Sequence, residues 1–129
     1  MKRAHFLAAA GTLGVFFGLS MIVSPDAMLN SMTTITGAGA TNVLREVGVA
    51  LLTVGVVNIM ARNDPGSDAL SAIMTGNIVL HVVGWGLDIV DWRSGMLKQS
   101  GIVMGSIVHG LLLVGFVYYY VKMGKRVTT

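Results

Sequence analysis

Apolar residues in this chain come in long runs rather than at helical or strand spacing. Four segments are almost wholly apolar: Ala4 to Val23, Val43 to Ala61, Ala69 to Val90 and Gly101 to Val121. A bilayer core of ~30 Å and a helical rise of ~1.5 Å per residue require about twenty such residues per crossing. Each run therefore predicts a membrane-spanning helix. The fold expected is an all-α membrane protein, a four-helix antiparallel bundle forming one domain over residues 1–129.

Between the runs, polar residues mark the breaks. Asp64-Pro65-Gly66-Ser67-Asp68 reads as a turn that supplies N-cap candidates for the third span, and Asp91-Trp92-Arg93-Ser94-Gly95 ends that span. Short links make sequential spans antiparallel neighbours. Only Ser24 to Asn42 is longer. There Ser24-Pro25-Asp26 offers a cap, a proline at the first helical position and an acid in the first turn. Met28, Leu29, Met32 and Ile35 then share a face, predicting a short interfacial helix over 25–36 that Gly37-Ala38-Gly39 ends. The start, Met1-Lys2-Arg3 before an apolar stretch, also suits a signal peptide. The stretch is long enough to span and no clear A-x-A site follows, so a retained first span is the expectation.

Composition sharpens this picture. Of 129 residues 53% are hydrophobic and only 12% charged, about half the charged share of a soluble domain at ~25%. The absence of cysteine excludes disulfides, thiolate metal sites and cysteine nucleophiles. A net charge of +3 does not point to nucleic acid, because the basic residues lie at span ends. Lys2, Arg3, Arg62, Lys122, Lys125 and Arg126 fall on the side shared by both termini, against Arg45, Arg93 and Lys98 on the other. The positive-inside rule then sets both termini in the cytoplasm, with Tyr118, Tyr119 and Tyr120 at the inner boundary and Trp92 at the outer one.

Polar residues inside the spans are costly and so are candidates for function. Asn77, His81, Trp85 and Asp88 recur at i, i+4, i+8 and i+11 in the third span, one stripe within a sector of roughly 80°. Counting from the span ends, His81 and His109 both lie roughly 12–14 Å below the outer boundary. Arg45, Glu46 and Asp88 lie within about one turn of that boundary, an outer-mouth charge cluster. An Arg45–Asp88 ion pair would lock the second span to the third, and Glu46 would sit in its helix's first turn. His5 is interfacial.

Two facing imidazoles could ligate haem b iron. A single one could ligate the magnesium of a chlorophyll-type pigment; the small-residue spacing of Gly105-x-x-x-His109 resembles that of light-harvesting polypeptides. The stripe could instead relay protons, or hold a quinone in an apolar pocket. The plain alternative is structural: no cofactor at all, with histidines that hydrogen-bond a neighbouring helix at ~1 kcal/mol or less. The glycines are clearer. Gly11, Gly14 and Gly18, then Gly48 and Gly55, then Gly101 and Gly105, line helix faces on which backbones can approach closely. One such face could be left for a partner subunit. No nucleophile with its base, no H-E-x-x-H and no phosphate loop occurs.

Leu44-Arg45-Glu46-Val47-Gly48, continuing to Gly55 and to Ala61-Arg62, resembles a pattern in small DoxX-like bacterial membrane proteins; so do Pro25, His81 with Asp88, and the four-span layout. The resemblance implies a four-helix bundle of the bacterial inner membrane and a link to quinone-coupled redox complexes. It carries over no active-site residues. The expected role is accordingly an accessory or scaffolding subunit, packed in the lipid bilayer against a larger redox or energy-converting complex. The alternatives are a haem-, pigment- or quinone-binding protein using His81 and His109, and a small transporter or proton-conducting module.

Overall fold

The computed structural model describes residues 1–124; Lys125 and Arg126, two of the basic residues used above for orientation, lie outside them. Five helices follow one another: α1 (Arg3–Val23), α2 (Pro25–Met32), α3 (Ala38–Ala61), α4 (Asp68–Arg93) and α5 (Gln99–Gly124). Among the described residues there is no strand, only an isolated bridge between Thr33 and Leu97. The four long helices are each long and apolar enough to cross a membrane. Their outer faces are correspondingly apolar, with Phe16, Met60, Leu111 and Val114 among the most exposed.

The element boundaries correct several expectations. Of Gly37-Ala38-Gly39, only Gly37 breaks a helix: its φ of 107° suits glycine alone, and it serves as the N-cap of α3. Ala38 and Gly39 are already helical, so α3 starts five residues before Val43, and Glu46 lies in its third turn rather than its first. At the other boundary α2 stops at Met32, which leaves Ile35 outside it and exposed. Ser24 occupies the N-cap of α2 but makes no side-chain cap bond. Asp26 instead accepts a hydrogen bond from Thr41 Oγ1 at 2.7 Å, tying α2 to the start of α3. Ser67 does cap α4, its hydroxyl accepting from Leu70 N at 3.1 Å.

The long helices form two close pairs. α1 meets α3 through glycine: a Cβ on Gly18 would stand 2.6 Å from Leu52 N and 2.7 Å from Gly48 O, and one on Gly55 would stand 2.7 Å from Gly11 O. Backbones here touch with no side chain between them, the packing that small residues permit in the absence of a hydrophobic drive. α4 packs on α5. α3 and α4, although joined by a short link, barely meet.

The pairs are fastened at both ends. At the end carrying Met1, the buried residues Phe6, Leu7 and Ala10 of α1, Leu70 and Met74 of α4, and Phe116 and Tyr119 of α5 form the core. Phe6 meets Phe116 edge to face, with ring centroids 4.9 Å apart, and Tyr119 donates to Met1 O at 2.6 Å. At the opposite end α2 is stitched to the α4–α5 link. Thr34 N donates to Met96 O at 2.9 Å and Lys98 N to Met32 O at 2.8 Å. Ser100 Oγ donates to Ser31 O at 2.7 Å, and Gly101 lies against Met32 O. What remains between the pairs, halfway along, is a cavity.

Candidate functional site

The stripe on α4 faces inward, and three of its four side chains find a hydrogen-bonding partner on another helix. Asn77 and Asn58 of α3 exchange two amide hydrogen bonds, both 2.9 Å. The second amide hydrogen of Asn77 goes to Ile73 O at 2.8 Å. One turn on, His81 Nδ1 lies 3.0 Å from His109 Nδ1. After another turn, Trp85 Nε1 donates to Ser106 Oγ at 3.0 Å. Asn58, Asn77 and His81 are buried, and an unpaired amide or imidazole in such a place would cost about 1–3 kcal/mol.

The fourth residue of the stripe differs. Asp88 accepts no hydrogen bond among the described residues. Its Oδ2 is buried against the α-carbon of Gly105 and stands 3.8 Å from His109 Nε2, beyond hydrogen-bonding range. Even so, the His109–Asp88 contact is the one approach within 4.0 Å of an acidic to a basic side chain among the described residues. The expected Arg45–Asp88 pair does not form: the face of α4 that carries Asp88 turns to α5, and Arg45 and Glu46 are exposed on α3. Arg45, Glu46 and Asp88 thus make no ion pair with one another among the described residues.

The two histidines constrain one another. A hydrogen bond between two Nδ1 atoms needs a proton on one and a lone pair on the other, so the rings are opposite tautomers. The Asp88 carboxylate beside His109 Nε2 favours a proton there, which makes His109 Nδ1 the acceptor and His81 Nδ1–H the donor. His81 Nε2 is left as a bare lone pair. The same contact bears on metal ligation. A haem iron held axially by both imidazoles needs about 2 Å to each nitrogen on opposite sides, hence ~4 Å between them, and haem would have to slide between the rings. At 3.0 Å the rings bond each other, and Gly84 leaves its space to the His109 ring rather than to a macrocycle. The site does not fit a bis-histidine haem. No group of three or more metal-ligating side chains occurs among the described residues.

Beside this polar ladder lies a partly enclosed cavity of about 380 Å³, within the range of small-ligand sites at roughly 300–1,000 Å³. Apolar side chains such as Phe17, Leu51, Val54 and Leu112 form most of its wall, and Asn58, Asn77, His81, His109 and Asp88 form its polar side. Leu13, Leu80 and Met104 both line it and are exposed, so it opens sideways between the helix pairs.

No family model matches the chain, and neither a curated protein nor a solved structure shows significant similarity to it. The site must be read from its own geometry.

Sequence reasoning passed over three members of this site. Asn58 is the main one, a lone amide in an otherwise apolar span and as conspicuous by that measure as Asn77. Ser106 counts in the sequence only as a small residue, but it holds the Trp85 indole. Phe116 stacks on His81 at 5.7 Å between centroids, which no polar pattern could signal. The glycines divide by role. Gly11, Gly14, Gly18, Gly48 and Gly55 bring α1 and α3 together, Gly101 admits Met32 O, and Gly105 makes room for the Asp88 carboxylate rather than for a helix.

Proposed function

We propose that this chain is a multi-pass protein of a bacterial inner membrane, antiparallel in its spans and cytoplasmic at both termini, which binds a small apolar molecule carrying a hydroxyl head group, such as a quinol. One observation carries this reading: the Asp88 carboxylate accepts no hydrogen bond among the described residues and lines an apolar cavity, its Oδ2 closed off against Gly105 and its Oδ1 the oxygen left accessible. Buried polar groups left unpaired in a native fold call for a partner. The acceptors that remain, Asp88 and His81 Nε2, both ask the ligand to donate, which favours a hydroxyl over a carbonyl. The asymmetry of Lys and Arg supports the orientation, and the DoxX-like resemblance supports the bacterial membrane.

Competing readings have less behind them. A proton path along Asp88, His109 and His81 runs into Phe116 and the apolar core that follows. An accessory subunit would need a free packing face, and the glycines of α1 are used on Gly48 and Gly55 of α3; the open helical glycines, Gly39, Gly76, Gly86 and Gly124, are scattered over three helices.

Binding of an apolar quinol analogue and of its quinone, measured calorimetrically on the detergent-solubilised chain, tests the proposal. The quinol is expected to bind about tenfold or more tightly than the quinone, as a hydrogen bond to a charged group is worth ~1.5–3 kcal/mol. Asp88→Asn should erase that preference, and Val54→Trp, which fills the cavity, should abolish both. Saturable binding of neither molecule, or binding that Val54→Trp leaves intact, refutes it.

A further inference from the structure

A second concavity lies at the end of the bundle that carries Met1, far from the histidines. It measures about 800 Å³ and is bounded by the start of α1, the α3–α4 link and the end of α5. Four cationic side chains line it, Lys2, Arg3, Arg62 and Lys122, against one carboxylate, Asp64. That carboxylate is already engaged by its own loop: it accepts from Gly66 N at 2.7 Å, from Ser67 N at 2.8 Å and from Ser67 Oγ at 2.8 Å. It forms no ion pair with any of the four. Arg3 donates to the backbone carbonyl of Asp64, a neutral acceptor, while its Nε is buried with no acceptor among the described residues. The first turn of α1 contains no acid, and its N-cap, Lys2, makes no side-chain cap bond; His5 N and Phe6 N donate to Lys2 O, which leaves the amide hydrogens of Arg3 and Ala4 without an acceptor among the described residues at this end.

Four cations, an unanswered guanidinium nitrogen and an uncapped helix start are chemistry for a phosphate. We infer that this basin holds the phosphate of an anionic phospholipid headgroup. The surroundings select the lipid over a soluble phosphate. The basin sits at the end of the four apolar helices, Tyr119 and Tyr120 form part of its wall, and Met60 and Val121 beside it are exposed. A headgroup seated among the cations would leave its acyl chains along that apolar surface, as in basic pockets between spans that take anionic lipid. The inference rests on the membrane reading but not on the histidine cavity.

Native mass spectrometry of the full chain, released from bilayers of phosphatidylcholine with a minor fraction of phosphatidylglycerol, tests it. The expected result is retention of phosphatidylglycerol over phosphatidylcholine, weakened about fivefold for each basic side chain removed. Arg3→Gln with Arg62→Gln is the decisive variant. Lys2→Gln with Lys122→Gln, both exposed side chains, covers the case in which loss of Arg3 unfolds the chain, and Arg93→Gln at the opposite end should change nothing. Equal retention of the two lipids, or unchanged retention in both double variants, overturns the assignment. So does displacement of phosphatidylglycerol by millimolar inorganic phosphate, which would make the basin a site for the free anion. Quinol binding is read separately, so either proposal can fail alone.

Discussion

The two helix pairs are held by opposite means. Between α1 and α3 no side-chain hydrogen bond crosses; the hydroxyls of Thr12, Ser20 and Thr53 return to carbonyls of their own helices four residues back. Glycine lets the two backbones touch, and the contact is continuous from Gly11 to Gly18. Between α4 and α5 the contact is made by the ends of side chains, His81 to His109 and Trp85 to Ser106. The first seam is tight because nothing stands between the helices. The second is specific because polar atoms must meet, and its inner edge remains open to a cavity. Close backbone packing and polar side-chain pairing are thus assigned to different halves of one small bundle, and both halves supply walls to the cavity between them.

The largest test of that division is Gly18→Ala. Its methyl would meet the backbone of Leu52 and Gly48, which can only yield by separating α1 from α3; a loss of about 1–3 kcal/mol or more is expected. Gly76→Ala on α4, where a Cβ meets nothing, should be neutral or slightly stabilising, since alanine is the better helix former. Thermal unfolding in mild detergent compares the two, and equal melting points would break the contrast between the seams.

A smaller effect comes from the polar link between the pairs. Asn77→Leu strands the Asn58 amide and should cost about 1–2 kcal/mol. Adding Asn58→Leu should recover most of it, because the apolar pair leaves nothing unsatisfied. If the double variant is less stable than Asn77→Leu alone, the pair does more than satisfy itself.

The smallest effect lies outside both seams. Hydrogen bonds from Ser67 N, Gly66 N and the Ser67 hydroxyl hold the Asp64 carboxyl below its ordinary 3.8. A depressed carboxyl adds stability above that value and loses it as pH falls through the folded value. Unfolding followed from pH 5 down to pH 3 and below should therefore show a slight fall that Asp64→Ala lacks. An identical pH response in the two proteins would mean that this turn does not contribute.

How much of this was legible in the sequence depended on the range of the force involved. Hydropathy sums over twenty residues, so the four long helices stood out. Counting from their ends sets His81 and His109 level, and their rings meet. Helix starts depend on one residue's backbone angles, and three small residues together hid the fact that Gly37 alone takes a positive φ. Which charges pair depends on how helices are rotated about their axes. Arg45 and Asp88 stand at similar depth, but α4 turns Asp88 to α5, a choice made by the Trp85–Ser106 and His81–His109 contacts as a set. Asn58 was readable by the criterion that selected Asn77, and only its lack of a stripe-mate on the same helix concealed it.

The cavity's sideways opening, with both ends of the bundle fastened, has a consequence for how affinity should be expressed. On the proposed function, a guest that enters past Leu13, Leu80 and Met104 would come from the surrounding hydrocarbon and never cross water to reach its seat. Its supply is then a mole fraction of the membrane rather than a molarity of the medium. Doubling the lipid at constant total guest halves that supply, so half-saturation should move with the lipid-to-protein ratio and not with sample volume.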